Sequence, residues 1–239
     1  HACVSPPARG SSELSEDLAF RRKQAEGGGG QSKVDELRAA GRGTARERLD
    51  TLLDEGSFVE VDTFVTHRNQ EFNLHMHPFE GDGVVCGHGS VDGRRVFCFS
   101  QDFSVFGGSM GEMHALKITK VAEMAERARI PLVGIWDGGG QRAHDGVHSL
   151  AGTGELLDRL VACSGRIPMI SLVLGSVVGV SALAASLADF VVLGSEHGQL
   201  FLSSPLETEE TATAEMTPAE LGGAEVHASR SGIACLVAE

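Results

Sequence analysis

Apolar residues return along this chain at two rhythms. Leu49, Leu52 and Leu53 follow helical spacing that stops at Gly56, and Thr44 with Glu47 three residues on makes a capping-box pattern in front of them. Phe58 to Asp62 alternates like a strand, and Gly83 to Gly87 does so in part. Val91-Asp92-Gly93-Arg94 reads as an Asp-Gly hairpin turn into a further strand over Arg95 to Ser100. Met113 to Ala128 predicts an amphipathic helix that turns Ile118, Val121, Ala122, Met124 and Ala125 to a core. Pro131 to Trp136 predicts a buried strand, and Leu150 to Cys163 a helix with Leu156, Leu157, Leu160 and Val161 on one side. Pro168 to Leu174 is a second buried strand, Gly179 to Leu187 a helix of small residues, and Phe190 to Leu193 and Gln199 to Ser203 are strands again. Strands that are apolar throughout and alternate with helices pair in parallel, so an α/β fold is expected, mainly parallel from Arg95 onward. Residues 1–32, with Ser-Pro-Pro and the run Gly27 to Gly30, read as a flexible tail or linker that includes a short helix over Leu14 to Glu26; residues 33–239 read as one domain.

Three predicted strands run into glycine-rich turns: Phe106-Gly107-Gly108-Ser109, Asp137-Gly138-Gly139-Gly140 and Gly175 to Gly179. Glycine lets backbone approach a ligand closely, and turns that open onto helix N-termini present N–H groups to an anion. Paired N–H groups of this kind hold a developing oxyanion at ~3 kcal/mol per donor, the enolate of a thioester being one such charge. Plain turn chemistry stays open beside that use.

Composition narrows the classes. The 239 residues carry 33 acidic and 20 basic side chains, a net charge of −13. Eight acidic residues against the single Arg230 fall within 195–239, which excludes the clustered cations that nucleic acid requires. The five cysteines, Cys3, Cys86, Cys98, Cys163 and Cys235, form no Cys-x-x-Cys pair, which argues against a disulfide scaffold or zinc ribbon and fits the reducing cytoplasm. No apolar run is long enough to span a membrane, and no secretory signal is expected although the chain begins with His1.

Other motifs fall short. A dinucleotide fingerprint starting at Gly138 needs glycine where Ala143 stands, no phosphate-loop lysine follows a glycine run, and the serine elbow begun by Gly179-Val180-Ser181 has Leu183 in place of its next glycine. His144 and His148 are spaced to share a helix face, but Asp145 stands where a zinc motif requires glutamate, and no metal is expected. His75 and His77 read as a polar loop, Cys86, Cys98 and Cys163 as core thiols, and Trp136 and the phenylalanines as core.

Five colinear segments carry a resemblance: Gly43-Thr44-Ala45-Arg46-Glu47-Arg48-Leu49, Gly56 to Glu60, Gly81-Asp82-Gly83-Val84-Val85, Phe99-Ser100-Gln101-Asp102-Phe103 and Val105 to Ser109. Ser149-Leu150-Ala151-Gly152, Glu220-Leu221-Gly222-Gly223-Ala224, His227 and Ser231-Gly232 continue it. Over roughly residues 33–239 the chain resembles the biotin-dependent acyl-CoA carboxylases, in the N-terminal domain of the carboxyltransferase (β) subunit of the propionyl-CoA carboxylase type. The resemblance implies a crotonase-like fold and an active site shared between the N-domain of one subunit, which holds acyl-CoA, and the C-domain of another, which holds biotin. It implies that Gly179 and Val180 supply the backbone donors for the thioester oxyanion and that Gly139, Gly140 and Arg142 bind the acyl substrate; the glycine-rich turn Phe106-Gly107-Gly108 is expected to line the same pocket. It further implies removal of the α-proton of an acyl thioester and addition of carboxylate from carboxybiotin, with no tightly bound cofactor. The implied partners are a chain carrying the C-domain, in a homo- or hetero-oligomer, and a biotin carboxylase or biotin carrier subunit. A biotin-independent acyl-thioester decarboxylase, or a catalytically retired homologue that scaffolds a partner, would use the same frame.

The departures bear on substrate. The family's Asp-Ser-Gly-Gly-Ala-Arg stands here as Asp137-Gly138-Gly139-Gly140-Gln141-Arg142, and the second glycine of its oxyanion pair is Val180, whose branched side chain would be strained at positive φ and would crowd a ligand. The family's partly apolar helix near the acyl-CoA site corresponds to Ser203 to Met216. There the family's lysine is Glu209, flanked by Glu207 and Glu210, a patch that repels phosphate at roughly 1 kcal/mol per close exposed pair. The chain is therefore expected to bind ordinary acyl-CoA poorly.

Overall fold

The computed structural model describes residues 11–76, 78–205 and 216–239. Three helices come first: α1 (Ser11–Glu26), α2 (Gln31–Ala39) and α3 (Ala45–Leu52). An antiparallel meander follows, β1 (Val59–Val61), β2 (Val84–Val91) and β3 (Arg94–Gln101). Then come α4 (Glu112–Ala128), β4 (Leu132–Trp136), α5 (Val147–Cys163) and β5 (Met169–Val173). The chain continues through β6 (Ser176–Val178), α6 (Val180–Ser186), β7 (Phe190–Gly194) and β8 (Gln199–Phe201). It closes with α7 (Pro218–Gly222) and β9 (Leu236–Ala238).

Local chemistry sets the early elements. The Thr44 side chain accepts from the Glu47 N–H while Glu47 accepts from the Thr44 N–H, so the capping box forms as its spacing predicts. Asp92 (φ 50°) and Gly93 (φ 73°) make the two-residue turn between β2 and β3. The Asp54 carboxylate braces it, accepting from both their N–H groups and from the Ser90 hydroxyl.

The main sheet has the order β1-β2-β3-β4-β5-β7-β9, and every pairing from β3 onward is parallel, as the apolar strand pattern predicts. One face packs on α4, α5 and α6: Phe99, Trp136, Val173 and Leu193 meet Ile118, Val121, Leu156, Leu160 and Ala184. The other face receives α3, whose Leu49 and neighbouring Leu53 meet Val85, Cys98, Val133 and Ile135. Gly134 is required in the middle of β4, because a Cβ there would overlap the Phe99 ring. That ring stands edge-on to Trp136 at 4.9 Å, and the indole N–H donates to Ser171 Oγ at 3.0 Å. The Cys86, Cys98 and Cys163 thiols are buried core groups, and burial pushes those of Cys86 and Cys98 up to about 12, out of reach of thiolate chemistry.

Several features differ from the sequence pattern. β6 pairs in parallel with β8 as a separate two-stranded sheet inside the segment read as a glycine turn; three residues are too few to show a period. β9 and α2 carry no strong pattern either. Val161 is exposed, because the buried face of α5 runs through Ser149, Gly152, Thr153, Leu156, Leu160 and Cys163, and Val161 lies about 100° round from Leu160. His144 belongs to a 3-10 turn that ends at Gly146, so it does not share a helix with His148. In the described part of residues 1–32, α1 buries Ala25, Arg21 pairs with Glu80, and the Gly29 N–H donates to Ser104. The acidic residues Glu207, Glu209 and Glu210, and His77, lie outside the described residues.

Candidate functional site

Parallel strands end at one edge of a sheet, and the loops leaving them meet there. The turns after β3, β4 and β5 are consequently neighbours, and main-chain bonds join them. The Gly139 N–H donates to Gly107 O at 3.0 Å, the Met110 N–H to Gly140 O at 2.7 Å, and the Arg142 N–H to Met110 O at 2.9 Å. The Val178 N–H reaches Gly138 O at 3.4 Å. Gly108 and Gly138 lie back to back, each in the space a Cβ of the other would need. The structure thus brings together Phe106, Gly107, Gly108, Gly139, Gly140 and the Gly179–Val180 turn.

Those positions do different work. The Gly179 N–H donates to Phe201 O at 2.7 Å, closing the β6–β8 pairing. Gly179 has φ 65° and ψ −130°, a conformation only glycine adopts without strain. Val180 opens α6 with helical backbone, so the strain expected for a β-branched residue falls on Gly179 instead. As the first residue of α6, Val180 has no intrahelical acceptor for its N–H, and it is half-buried at the mouth of the turn. The Gly108 and Gly139 N–H groups are committed to Val105 O and Gly107 O, so these residues contribute shape rather than donors.

Phe106 takes φ 49°, a left-handed conformation costing roughly 1–2 kcal/mol outside glycine. Three rings or charges hold it there: Phe79 edge-on at 5.1 Å, His67 at 6.0 Å and the Arg142 guanidinium at 4.7 Å from the ring centre. Arg142 itself is buried beneath the turn. It binds Asp82 Oδ1 at 2.5 Å and donates to Ser109 O at 2.9 Å, so it supports Phe106 from below.

Beneath the turns lies a buried polar chain whose functional weight motif spacing misses. Gln101 Oε1 accepts from the Asp137 N–H at 3.0 Å, and Gln101 Nε2 lies 3.2 Å from His114 Nε2. His114 Nδ1 lies 3.1 Å from Asp82 O, and the His114 main-chain N–H donates to Asp82 Oδ2. These partners fix one tautomer: Nδ1 carries the proton and Nε2 accepts. Lys117 donates to Gly81 O and Val84 O in the same region. The Asp137 carboxylate is gripped from the other side by Arg42 and by Arg48, the latter at 2.7 Å. A signal was present in the sequence. His114 and Lys117 are polar residues on the apolar stripe of α4 that also carries Ile118 and Val121.

The chemistry of His114 gives a pH test. Burial, with the Arg142 and Lys117 charges beside it, holds its imidazole well below the ordinary value of 6.5. Below pH 6.5 the unfolded chain therefore takes up a proton that the folded chain refuses, and stability falls as pH falls, at up to about 1.4 kcal/mol per pH unit. Glu47, Asp54, Glu126 and Glu220 are held below the ordinary carboxylate range, so their contributions are lost only at lower pH. Asp82, whose carboxyl burial pushes up, acts in the opposite direction on acidification. Urea midpoints between pH ~7 and ~5 should drop for the native chain and drop less for His114→Gln. Equal slopes would refute a neutral buried His114.

A polar cavity of about 420 Å³ opens beside the turns, lined by Arg68, Asn69, Glu112, His144, Asp145 and His148 among others. Ser181 is buried among the small residues of α6. Among the described residues no helix is long and apolar enough to cross a membrane.

Residues 36–239 match the family described as carboxyl transferase domain. The chain is 42% identical over 222 residues to the propionyl-CoA carboxylase beta chain of Roseobacter denitrificans, covering 93% of this chain and 44% of that protein. It is 43% identical over 212 residues to the methylmalonyl-CoA decarboxylase subunit alpha of Veillonella parvula, covering 89% and 42%. Among solved structures, the transcarboxylase 12S hexamer with methylmalonyl-coenzyme A and methylmalonic acid bound superposes with a TM-score of 0.93 at 37% identity, covering 97% of this chain and 45% of that one. The chain spans less than half the length of these relatives. The fold is the crotonase-like α/β fold that the resemblance implied.

Proposed function

The chain belongs to the carboxyl transferase domain family, and on that premise we propose that it forms the acyl-thioester half of a carboxyltransferase site. The observation that carries this is the meeting of the three turns, locked by main-chain bonds, with the Val180 N–H left at their mouth. A thioester carbonyl set against that donor gains ~3 kcal/mol as it becomes an enolate. One donor is half of what such a charge requires. With the Gly179 N–H engaged by Phe201, a second donor comes from another chain in this reading, which supports an oligomer completed by a carboxyltransferase C-domain. Phe106, Gly107, Gly108, Gly139 and Gly140 shape the floor against which the acyl group lies, and Arg142 keeps that floor in place from beneath. Carboxybiotin is the carboxyl donor, a substrate delivered by a biotin carrier subunit, with no residue of this chain assigned to it. The scattered thiols support a place in the cytoplasm. The likeness to a decarboxylase subunit favours one second reading, release of CO₂ from an acyl thioester through the same enolate.

The acidic run with Glu207, Glu209 and Glu210, and the Val180 side chain at the mouth, both work against ordinary acyl-CoA. Calorimetric titration with acetyl-, propionyl- and malonyl-CoA should give binding weaker than micromolar, and Val180→Gly should tighten it. Micromolar or tighter binding by the native chain would return it to the ordinary carboxyltransferases. No binding at millimolar ligand by either form would overturn the acyl-CoA reading in favour of a scaffold.

A further inference from the structure

Beneath the main-chain bonds that join them, two of the three turns are tied through buried side-chain arms, and both arms end on one residue. The first arm runs from the turn after β4: the Asp137 N–H donates to Gln101 Oε1, and the Gln101 amide donates onward to His114 Nε2. Gln101 Oε1 also lies against Gly138, 3.1 Å from where a Cβ would stand, so the amide sets the path of that turn. The second arm runs from the turn after β3: Ser109 O accepts from Arg142, Arg142 pairs with Asp82, and Asp82 O accepts from His114 Nδ1. The side chains that form the arms are buried, with Gln101, His114 and Asp82 each 0% exposed and Arg142 2%.

We infer that His114 is a positioning residue, the joint that couples the Phe106–Gly108 turn to the Asp137–Gly140 turn and so holds the two sides of the candidate site in register. Its functional meaning rests on the reading proposed above; the coupling itself does not. Neutral imidazole is the group the place requires, since it accepts at Nε2 while donating at Nδ1. A second proton on Nε2 would face the Gln101 amide hydrogens and break the first arm. The charged and titratable groups facing the ring are Asp82 from the loop before β2, Lys117 on its own helix and Arg142 from the turn after β4. Serving as the joint differs from filling space. Each ring nitrogen serves one arm, so replacing one function should loosen the turn at the end of that arm more than the other, against the main-chain bonds the two turns share.

Amide hydrogen exchange on the full chain reads this directly and needs no ligand. His114→Asn places a donor where Nδ1 stood and loses the acceptor at Nε2. Exchange at the Asp137 N–H should rise by roughly tenfold or more, while Gly108 and Ser109 keep their protection. His114→Gln keeps an acceptor for Gln101 and loses the donor to Asp82, so Gly108 and Ser109 should exchange faster and Asp137 should not. Protection at the Phe99 and Gly134 amides, inside β3 and β4, serves as the control for global stability and should stay put in both variants relative to the turns. A uniform rise across turns and strands would show a purely structural residue and overturn the proposal. So would variants that loosen both turns alike, or neither. Failure of the chain to bind any acyl thioester would sink the functional reading while leaving this pattern to be judged by itself.

Discussion

Replacing Asp137 with alanine should lower the free energy of unfolding by about 3–5 kcal/mol, a large share of the ~5–15 kcal/mol typical of a folded domain. The carboxylate stands at the end of β4, buried, between the guanidinium groups of Arg42 and Arg48. Arg42 stacks on Phe103 at 4.2 Å, and the Arg48 side chain is only 9% exposed while it also donates to Leu174 O. Removing the carboxylate leaves two cations with no counter-charge in a place that water reaches poorly, which is the costly way to break a buried pair. Gly175 packs against the same carboxylate, since a Cβ there would overlap it. Urea denaturation of Asp137→Ala and Asp137→Asn would measure the loss; the asparagine keeps the shape and removes the charge. A change below ~1 kcal/mol in both variants would mean that the clamp carries no stability.

Two adjacent glycines should respond unequally to alanine. Gly107 has φ 62° with nothing within 4 Å of a Cβ, so Gly107→Ala should cost about 1–2 kcal/mol of left-handed backbone strain, reduced by the lower entropy of the unfolded chain. Gly108 has nearly the same φ, 65°, but its Cβ would overlap Asp137 O and crowd Gly138. Those atoms belong to backbone already tied to Gly107 and to Gln101, so they have nowhere to go. Gly108→Ala should cost more than ~3 kcal/mol, by overpacking added to strain. Thermal melts of the pair decide it. Equal losses would place the two turns farther apart than described here.

Much of the fold was legible because its signals are local. The Thr44–Glu47 box, the Asp92-Gly93 turn and the apolar strands at Pro131 to Trp136 and Pro168 to Leu174 each contain their own instruction, and each forms where its pattern lies. β6 was hidden because its pairing with β8 exists only in three dimensions. Chain pattern and family motifs marked the three glycine turns, but they could not say which N–H groups stay free. That depends on Phe201 meeting Gly179 from 22 positions away. Arg142 illustrates the same limit. Motif placement puts it at the substrate, whereas Asp82, 60 residues earlier, draws it under the floor of the site. Gln101 and Asp137 stand inside family-like segments and His114 on the stripe of α4, but their buried roles were not legible there, because their partners lie 13 to 95 residues away.

The clamp on Asp137 also sets an order of events during synthesis. The joint at His114 and its two arms involve residues between Asp82 and Arg142. Arg42 must wait for Asp137, 95 residues later, and Arg48 for Leu174, 126 residues later. At ~5–20 residues per second, roughly 6–25 s separate the synthesis of Arg48 from that of Leu174, its last partner. The floor of the candidate site is therefore complete before the α3 clamp closes over it. α3, among the first elements to emerge, is thus fastened only once the chain has passed β5.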